Sequence, residues 1–265
     1  TFGMGAAGQR YDEIAKRMAL YTGGTGGAPG SGRHVSSGAS YEVFSVGSKM
    51  LPRHIDAAFA LLRDLLVEPD PTDTKRLREL ITESHASAQA SLVPRGHSYA
   101  AMRAAASLHP SALRREQWGG ITQVRFLAET AARYDLNPSG LVERLARLQR
   151  DVFTRARAMV SLAGDPPIVE AMLRALEGLL AALPEGEPVQ AVDRPAAPMP
   201  RDWGVIVPAQ VNYVAQVLPA PTLDDVESAV AFELMSNVVS ANYLYKKLRV
   251  QGGAYGGFSS YARDA

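Results

Sequence analysis

The sequence predicts an α+β protein in two blocks, on three observations. Several segments place apolar residues at helical spacing, a few short segments alternate apolar and polar residues, and Pro184 to Pro200 holds five prolines with few large apolar side chains. Antiparallel-type strands beside packed helices fit this class. The proline-rich composition favours an extended linker over a packed element. The expected division is therefore 1–183, a linker at 184–202, and a second α+β block at 203–265.

The elements follow in order. Residues 10–21 place Ile14, Met18 and Tyr21 on one helical face. The run from Thr22 to Arg33 stops that helix and reads as a glycine-rich loop. Residues 41–46 alternate like a strand. Pro52 opens a helix with Ile55, Phe59, Leu62 and Leu66 in register, ending near Pro69. A second helix from Thr72 uses Leu77, Leu80, Ile81 and Ser84 and breaks at Pro94 to Gly96.

Three helical segments are expected at about 97–108, 121–135 and 138–151. The last is opened by Asn137 as a cap and Pro138 at the first helical position. Residues 157–163 read as a buried strand. Asp165 and Pro166 repeat the cap-plus-proline device, starting a helix with Ile168, Met172, Leu176, Leu179 and Leu183 inward. Beyond the linker, 203–207 and 210–218 read as strands, with Val211, Tyr213, Ala215 and Val217 on one side. Thr222 to Asp225 resembles a capping box for a long helix through Val226, Val230, Leu234, Val238 and Leu244.

Composition narrows the function. The chain has 265 residues, enough for a substantial core, with 46% apolar and 21% charged residues. A net charge of +1 gives no electrostatic case for nucleic acid or an anionic membrane. Cysteine is absent, which removes disulfides and thiolate chemistry together. No apolar run reaches the roughly 18 residues of a membrane span. The chain starts without an initiator Met or a targeting pattern, and reads as a cut inside a longer polypeptide.

Most motif matches fail on context. Gly3 to Gly8 spells G-x-G-x-x-G, but no strand precedes it and no acidic residue follows at the right distance. The 23–32 run lacks the closing G-K-[ST] of a phosphate loop, although its backbone N–H groups could serve an extended peptide. The histidines at 34, 54, 85, 97 and 109 form no H-E-x-x-H or H-x-x-E-H, so no metal ligands are expected in this chain. No G-x-S-x-G elbow is present.

The richest segment is Tyr243 to Phe258. A helix ends in Lys246, Lys247 and Arg249, breaks at Gly252 and Gly253, and leads to a short strand carrying Tyr255. By spacing alone the two donors are structural: a cation in the last turn complements the macrodipole, and a Tyr after two glycines packs.

The segment from Ala241 to Gly257 resembles a motif of the presequence-protease branch of the pitrilysin-type zinc metallopeptidases. Tyr21 to Gly24, Ser45 to Leu51, Arg95 to Ala100, Gly119 to Ile121 and Gln210 to Ala215 are similar to that branch in the same order. The resemblance implies related α+β domains of the LuxS/pitrilysin type, here most of a third domain, the linker and the start of a fourth, both truncated. It implies a zinc metalloendopeptidase that degrades short unstructured peptides. The zinc would be bound by an N-terminal half of the same polypeptide and not by this chain, which alone is expected to be inactive.

Arg249 and Tyr255 match the family's residues that reach the substrate and stabilise the oxyanion. Gly252, Gly253 and Ala254 allow close approach of the substrate backbone. The expected partners are an unfolded peptide and the zinc-binding half, with no nucleic acid or membrane, and a soluble, cytoplasmic location if the source is bacterial. A non-catalytic scaffold or paired-subunit module on the same fold is the alternative.

Overall fold

The computed structural model describes residues 2–188 and 202–262, so most of the expected linker lies outside the described residues. Among the described residues the chain is mixed α+β: helices with two small antiparallel sheets. The strands are β1 (Gly5–Ala6), β2 (Thr25–Arg33), β3 (Ser40–Ser48) and β4 (Pro69–Asp70). The helices are α1 (Tyr11–Tyr21), α2 (Ile55–Val67), α3 (Thr74–Ser91), α4 (Gly96–Ala105), α5 (Pro110–Gly119), α6 (Ile121–Arg133), α7 (Pro138–Val152), α8 (Pro166–Ala182) and α9 (Val226–Val238). A π-helical stretch, Val239–Gln251, continues α9.

The described residues fall into two compact units. One is drawn from Thr1–Pro29, Phe44–Ala90 and Val124–Val192, the other from Gly30–Val43, Ser91–Gln123 and Asp193–Ala265.

In the first unit α2 lies along α8. Ile55, Phe59 and Leu62 recur at helical spacing and meet Met172, Leu176 and Leu179 of α8, all buried. Truncating such a buried leucine to alanine costs about 2–5 kcal/mol, so this seam carries much of the unit's stability. The other side of α2 buries Leu61 and Leu65 against Ala6 and Ile14. Met4, Leu77, Ile81 and Tyr134 form a third cluster, where the Tyr134 hydroxyl donates to the Thr74 carbonyl at 2.6 Å. β1 pairs β4 with Gly5 opposite Asp70. The start of α7 follows its local signal, with the Asn137 side chain accepting from Gly140 N at 2.9 Å; at the start of α1 the Glu13 carboxylate accepts from Arg10 N at 2.9 Å. Asp165 precedes Pro166 as expected, but its side chain makes no capping bond.

Several expectations fail. The glycine run is not a loop but strand β2, paired with β3. Lys49 N donates to Gly24 O at 3.1 Å and His34 N to Ala39 O at 2.8 Å, and both bonds fit one register. The glycines are explained by aromatic rings. A Cβ on Gly27 would fall 2.7 Å from Phe44 and one on Gly32 would fall 2.5 Å from the Tyr41 hydroxyl, so those rings fill the space that side chains would take. In that register the N–H-less position of Pro29 faces away from β3 and removes no ladder bond.

Residues 157–163 form no strand and are not buried, since Met159 is 92% exposed. Residues 203–207 and 210–218 form no strands either. In 210–218 the alternation survives, with positions 213, 215 and 217 half-buried between exposed neighbours, but among the described residues no backbone ladder bonds it. Pattern fixes which side chains turn inward, whereas a strand also needs a neighbour for its N–H and C=O groups.

Helix α9 is capped three residues later than a box starting at Thr222 implies. Asp225 itself caps it, accepting from Ser228 N at 3.0 Å, while Thr222 bonds Asp224. Its expected inward stripe is exposed: Val226, Val230, Leu234 and Val238 are 54–64% accessible, and Ala229 and Ser236 are the buried positions. Helix α5 was not anticipated, although His109 before Pro110 is the same cap-plus-proline signal that marks α7. The His109 ring accepts from Ser111 N at 3.2 Å.

Candidate functional site

The second unit carries the candidate residues. Gly96, the first residue of α4, meets the ring of Tyr213: a Cβ there would fall 2.3 Å from the ring carbons. The Tyr213 hydroxyl donates to the Val93 carbonyl at 2.5 Å, so the stretch after residue 202 is pinned to the α4 entrance. Buried Glu116, on α5, accepts from Thr122 N at 3.1 Å and from its hydroxyl at 2.7 Å, capping the start of α6. It also pairs with Arg103 at 3.1 Å. His109 is held below the usual imidazole range by burial, with the Arg33 and Arg115 charges adding to the effect.

Arg249 lies in the last turn of the π-helical stretch, where hydrogen bonds reach five residues back rather than four. Its guanidinium carbon sits 5.7 Å from the centroid of the Tyr245 ring, a cation–π contact one turn back, and the side chain is exposed. Two glycines then turn the chain. Gly252 follows directly, and a Cβ there would fall 2.8 Å from the Leu248 carbonyl oxygen. Gly253 has φ of +70°, a left-handed conformation that favours glycine. Ala254 N donates to Leu248 O at 2.9 Å and closes the helix end.

Tyr255 is 96% exposed on the segment that follows, which is not the expected strand but an irregular loop. That loop is tied down beyond it. Phe258 stacks edge-on against His97 of α4 with centroids 5.3 Å apart, Ser259 N donates to Ser240 Oγ at 2.7 Å, and the Tyr261 hydroxyl donates to the Pro221 carbonyl. Gly257 packs under Leu248, where a Cβ would fall 2.4 Å from Cδ1. Arg249 and Tyr255 thus flank one fixed turn, and no hydrogen bond joins them among the described residues. Gly252, Gly253 and Ala254 form the turn itself.

No group of three or more His, Asp or Glu among the described residues is arranged to hold a metal, so the residues present do not fit a zinc centre. Among the described residues no helix is long and apolar enough to cross a membrane. What the geometry offers is two hydrogen-bond donors, Arg249 and Tyr255, on either side of a glycine turn in an α+β protein.

Residues 2–129 match the family described as Peptidase M16 (subfamily C) associated. The chain is 27% identical over 264 residues to the mitochondrial presequence protease of Yarrowia lipolytica, covering 96% of this chain and 26% of that protein. It is 27% identical over 216 residues to presequence protease 1 (chloroplastic/mitochondrial) of Arabidopsis thaliana, covering 82% of this chain and 20% of that one. Against the mitochondrial presequence protease of Danio rerio it is 28% identical over 282 residues, covering 96% and 27%. Most of the chain is thus similar to presequence proteases, and the peptidase-associated family matches its residues 2–129. It spans about a quarter of the length of these curated relatives.

Proposed function

We propose that this chain is the substrate-binding, non-zinc half of a zinc metalloendopeptidase that degrades short unstructured peptides of the targeting type. The supporting observation is the turn at Gly252–Ala254, which leaves Tyr255 fully presented while Ala254, Phe258 and Ser259 hold its loop in place. A phenol O–H and a guanidinium fork are suited to a peptide carbonyl and to the negative charge that builds on it during hydrolysis. Gly252 and Gly253 carry no side chains to obstruct an approaching peptide backbone. Zinc, held by the N-terminal half of the same polypeptide, would supply the hydrolytic chemistry.

The architecture proposed with this reading is two related pitrilysin-type domains, 1–183 and 203–265, joined by the proline-rich linker at 184–202. The order of family-like segments along the chain supports it. Alone, the chain binds no stoichiometric zinc and cleaves no peptide; metal analysis finding one tightly bound zinc per chain would contradict this. In the longer protein, Tyr255→Phe lowers peptide turnover by about 10²-fold, the usual effect of losing one oxyanion donor. Unchanged turnover would remove Tyr255 from catalysis.

A second reading, a non-catalytic scaffold or paired-subunit module, is favoured by one observation. The exposed stripe Val226, Val230, Leu234 and Val238 is an apolar helix face of the kind a partner covers. Peptide cleavage by the longer protein discriminates the two, because a scaffold shows none.

A further inference from the structure

We propose that a cavity in the second unit, between α4 and residues 202–215, takes one apolar side chain of an extended peptide. This rests on the reading that the protein handles unfolded peptides, and it adds a second contact point for them. The cavity measures about 570 Å³, within the range of side-chain and small-molecule sites. Ala100 and Ala104 of α4 leave its floor open, Tyr99 and Ile121 line it, and Trp203 stands on the facing wall.

Among the described residues its charge disfavours an anion. Arg103 lies with its guanidinium carbon 3.6 Å from the Trp203 ring centroid, and its Nη1 is 3.1 Å from a Glu116 carboxylate that is wholly buried. The cation is therefore already neutralised, and Asp202 adds a further negative group to the lining. An incoming carboxylate or phosphate would meet Asp202 and an Arg103 already paired with Glu116, with no further cation among the described lining residues to offset them. What remains is aromatic and aliphatic wall, with the buried Arg103 Nε unpartnered beside it. A neutral apolar group fits that chemistry.

The backbone of the facing wall selects the form of the ligand. Exposure alternates through 210–218 as in an extended chain, yet among the described residues no backbone group there pairs with another backbone group. Tyr213 holds the segment to Val93. An extended stretch beside the cavity suits an extended peptide, which would lie along it with one side chain entering the pocket.

The test uses the 265-residue chain with Trp118→Phe, which leaves Trp203 as the sole reporter of its two tryptophans. Three blocked pentapeptides are titrated: all alanine, alanine with a central phenylalanine, and alanine with a central aspartate. The phenylalanine peptide is expected to shift Trp203 emission and to bind about tenfold tighter than the other two. Ala104→Phe, or Ala100→Leu should the first variant not fold, fills the cavity and abolishes that preference. Independently, a peptide with a central benzoylphenylalanine should photo-cross-link to residues 96–104 and 202–215. Equal affinity of the three peptides, or cross-links confined elsewhere, would overturn the cavity proposal and leave the roles of Arg249 and Tyr255 standing. Conversely, unaltered turnover in Tyr255→Phe removes those roles without touching the binding preference.

Discussion

The ring of Tyr213 occupies the space that a side chain at Gly96 would need, with only 2.3 Å left for a Cβ. The two residues come from separate family-like segments, and their contact explains why both are spelled as they are. Gly96→Ala forces the ring or the start of α4 to move and is expected to destabilise the chain by about 1–3 kcal/mol. Tyr213→Phe removes only the bond to Val93 O and costs about 1 kcal/mol. Urea denaturation of the two variants separates them; equal midpoints for Gly96→Ala and the parent would show that the ring yields freely.

Glu116 is the most deeply buried charge described, and it serves Arg103 and the start of α6 together. Glu116→Gln leaves Arg103 without its counter-charge in a poorly solvated place. The expected loss is about 3 kcal/mol, the range for breaking a buried pair. Replacing both partners, Arg103→Met with Glu116→Leu, should cost less than the single change, because no orphaned charge remains. Denaturant midpoints of the single and double variants decide it.

His109 gives the stability a pH dependence of known sign. Its folded-state value is depressed, first by burial and then by Arg33 and Arg115, and its ring nitrogen accepts from Ser111 N. Protonation therefore favours the unfolded chain. The contribution is fully present above the unfolded value near 6.5 and is lost as pH falls through the folded one. Melting temperature is expected to drop across that mildly acidic window, and His109→Asn, which keeps a capping acceptor, should flatten the drop. An unchanged slope in the variant would assign the effect to other groups.

Helices were legible where a stripe found a partner inside the chain. Ile55, Phe59 and Leu62 repeat at helical spacing because Met172, Leu176 and Leu179 lie opposite them. The stripe from Val226 to Val238 is equally regular, yet it is exposed, since spacing says which residues share a face and not what covers it. Strands were less legible for a related reason. The glycines of β2 carry no pattern of their own; the information sits in Tyr41 and Phe44 of the opposite strand. At the candidate site, the glycine turn was readable from Gly252 and Gly253. The tethering of the Tyr255 loop through His97, Phe258 and Ser240 was not, because it joins residues up to 161 positions apart in the numbering of the chain. The cavity beside Trp203 carried no local motif at all.

The turn between Arg249 and Tyr255 depends on two glycines for different reasons, and substitutions can tell them apart. Gly253 needs a left-handed backbone, at φ of +70°, while nothing crowds its missing Cβ. Asparagine adopts that region more readily than other residues, so Gly253→Asn should be tolerated, whereas Gly253→Val should not. Gly252 has an ordinary φ of −91° but is crowded, with a Cβ falling 2.8 Å from Leu248 O and 3.0 Å from Lys247 O. There even alanine should disturb the helix end, and asparagine offers no relief. In the longer protein, peptide turnover should therefore survive Gly253→Asn within a few-fold and fall at least about tenfold in Gly253→Val and Gly252→Ala, the scale expected when donors are displaced by a fraction of an ångström. Equal turnover in all three variants would mean that the turn does not position Tyr255 for the reaction.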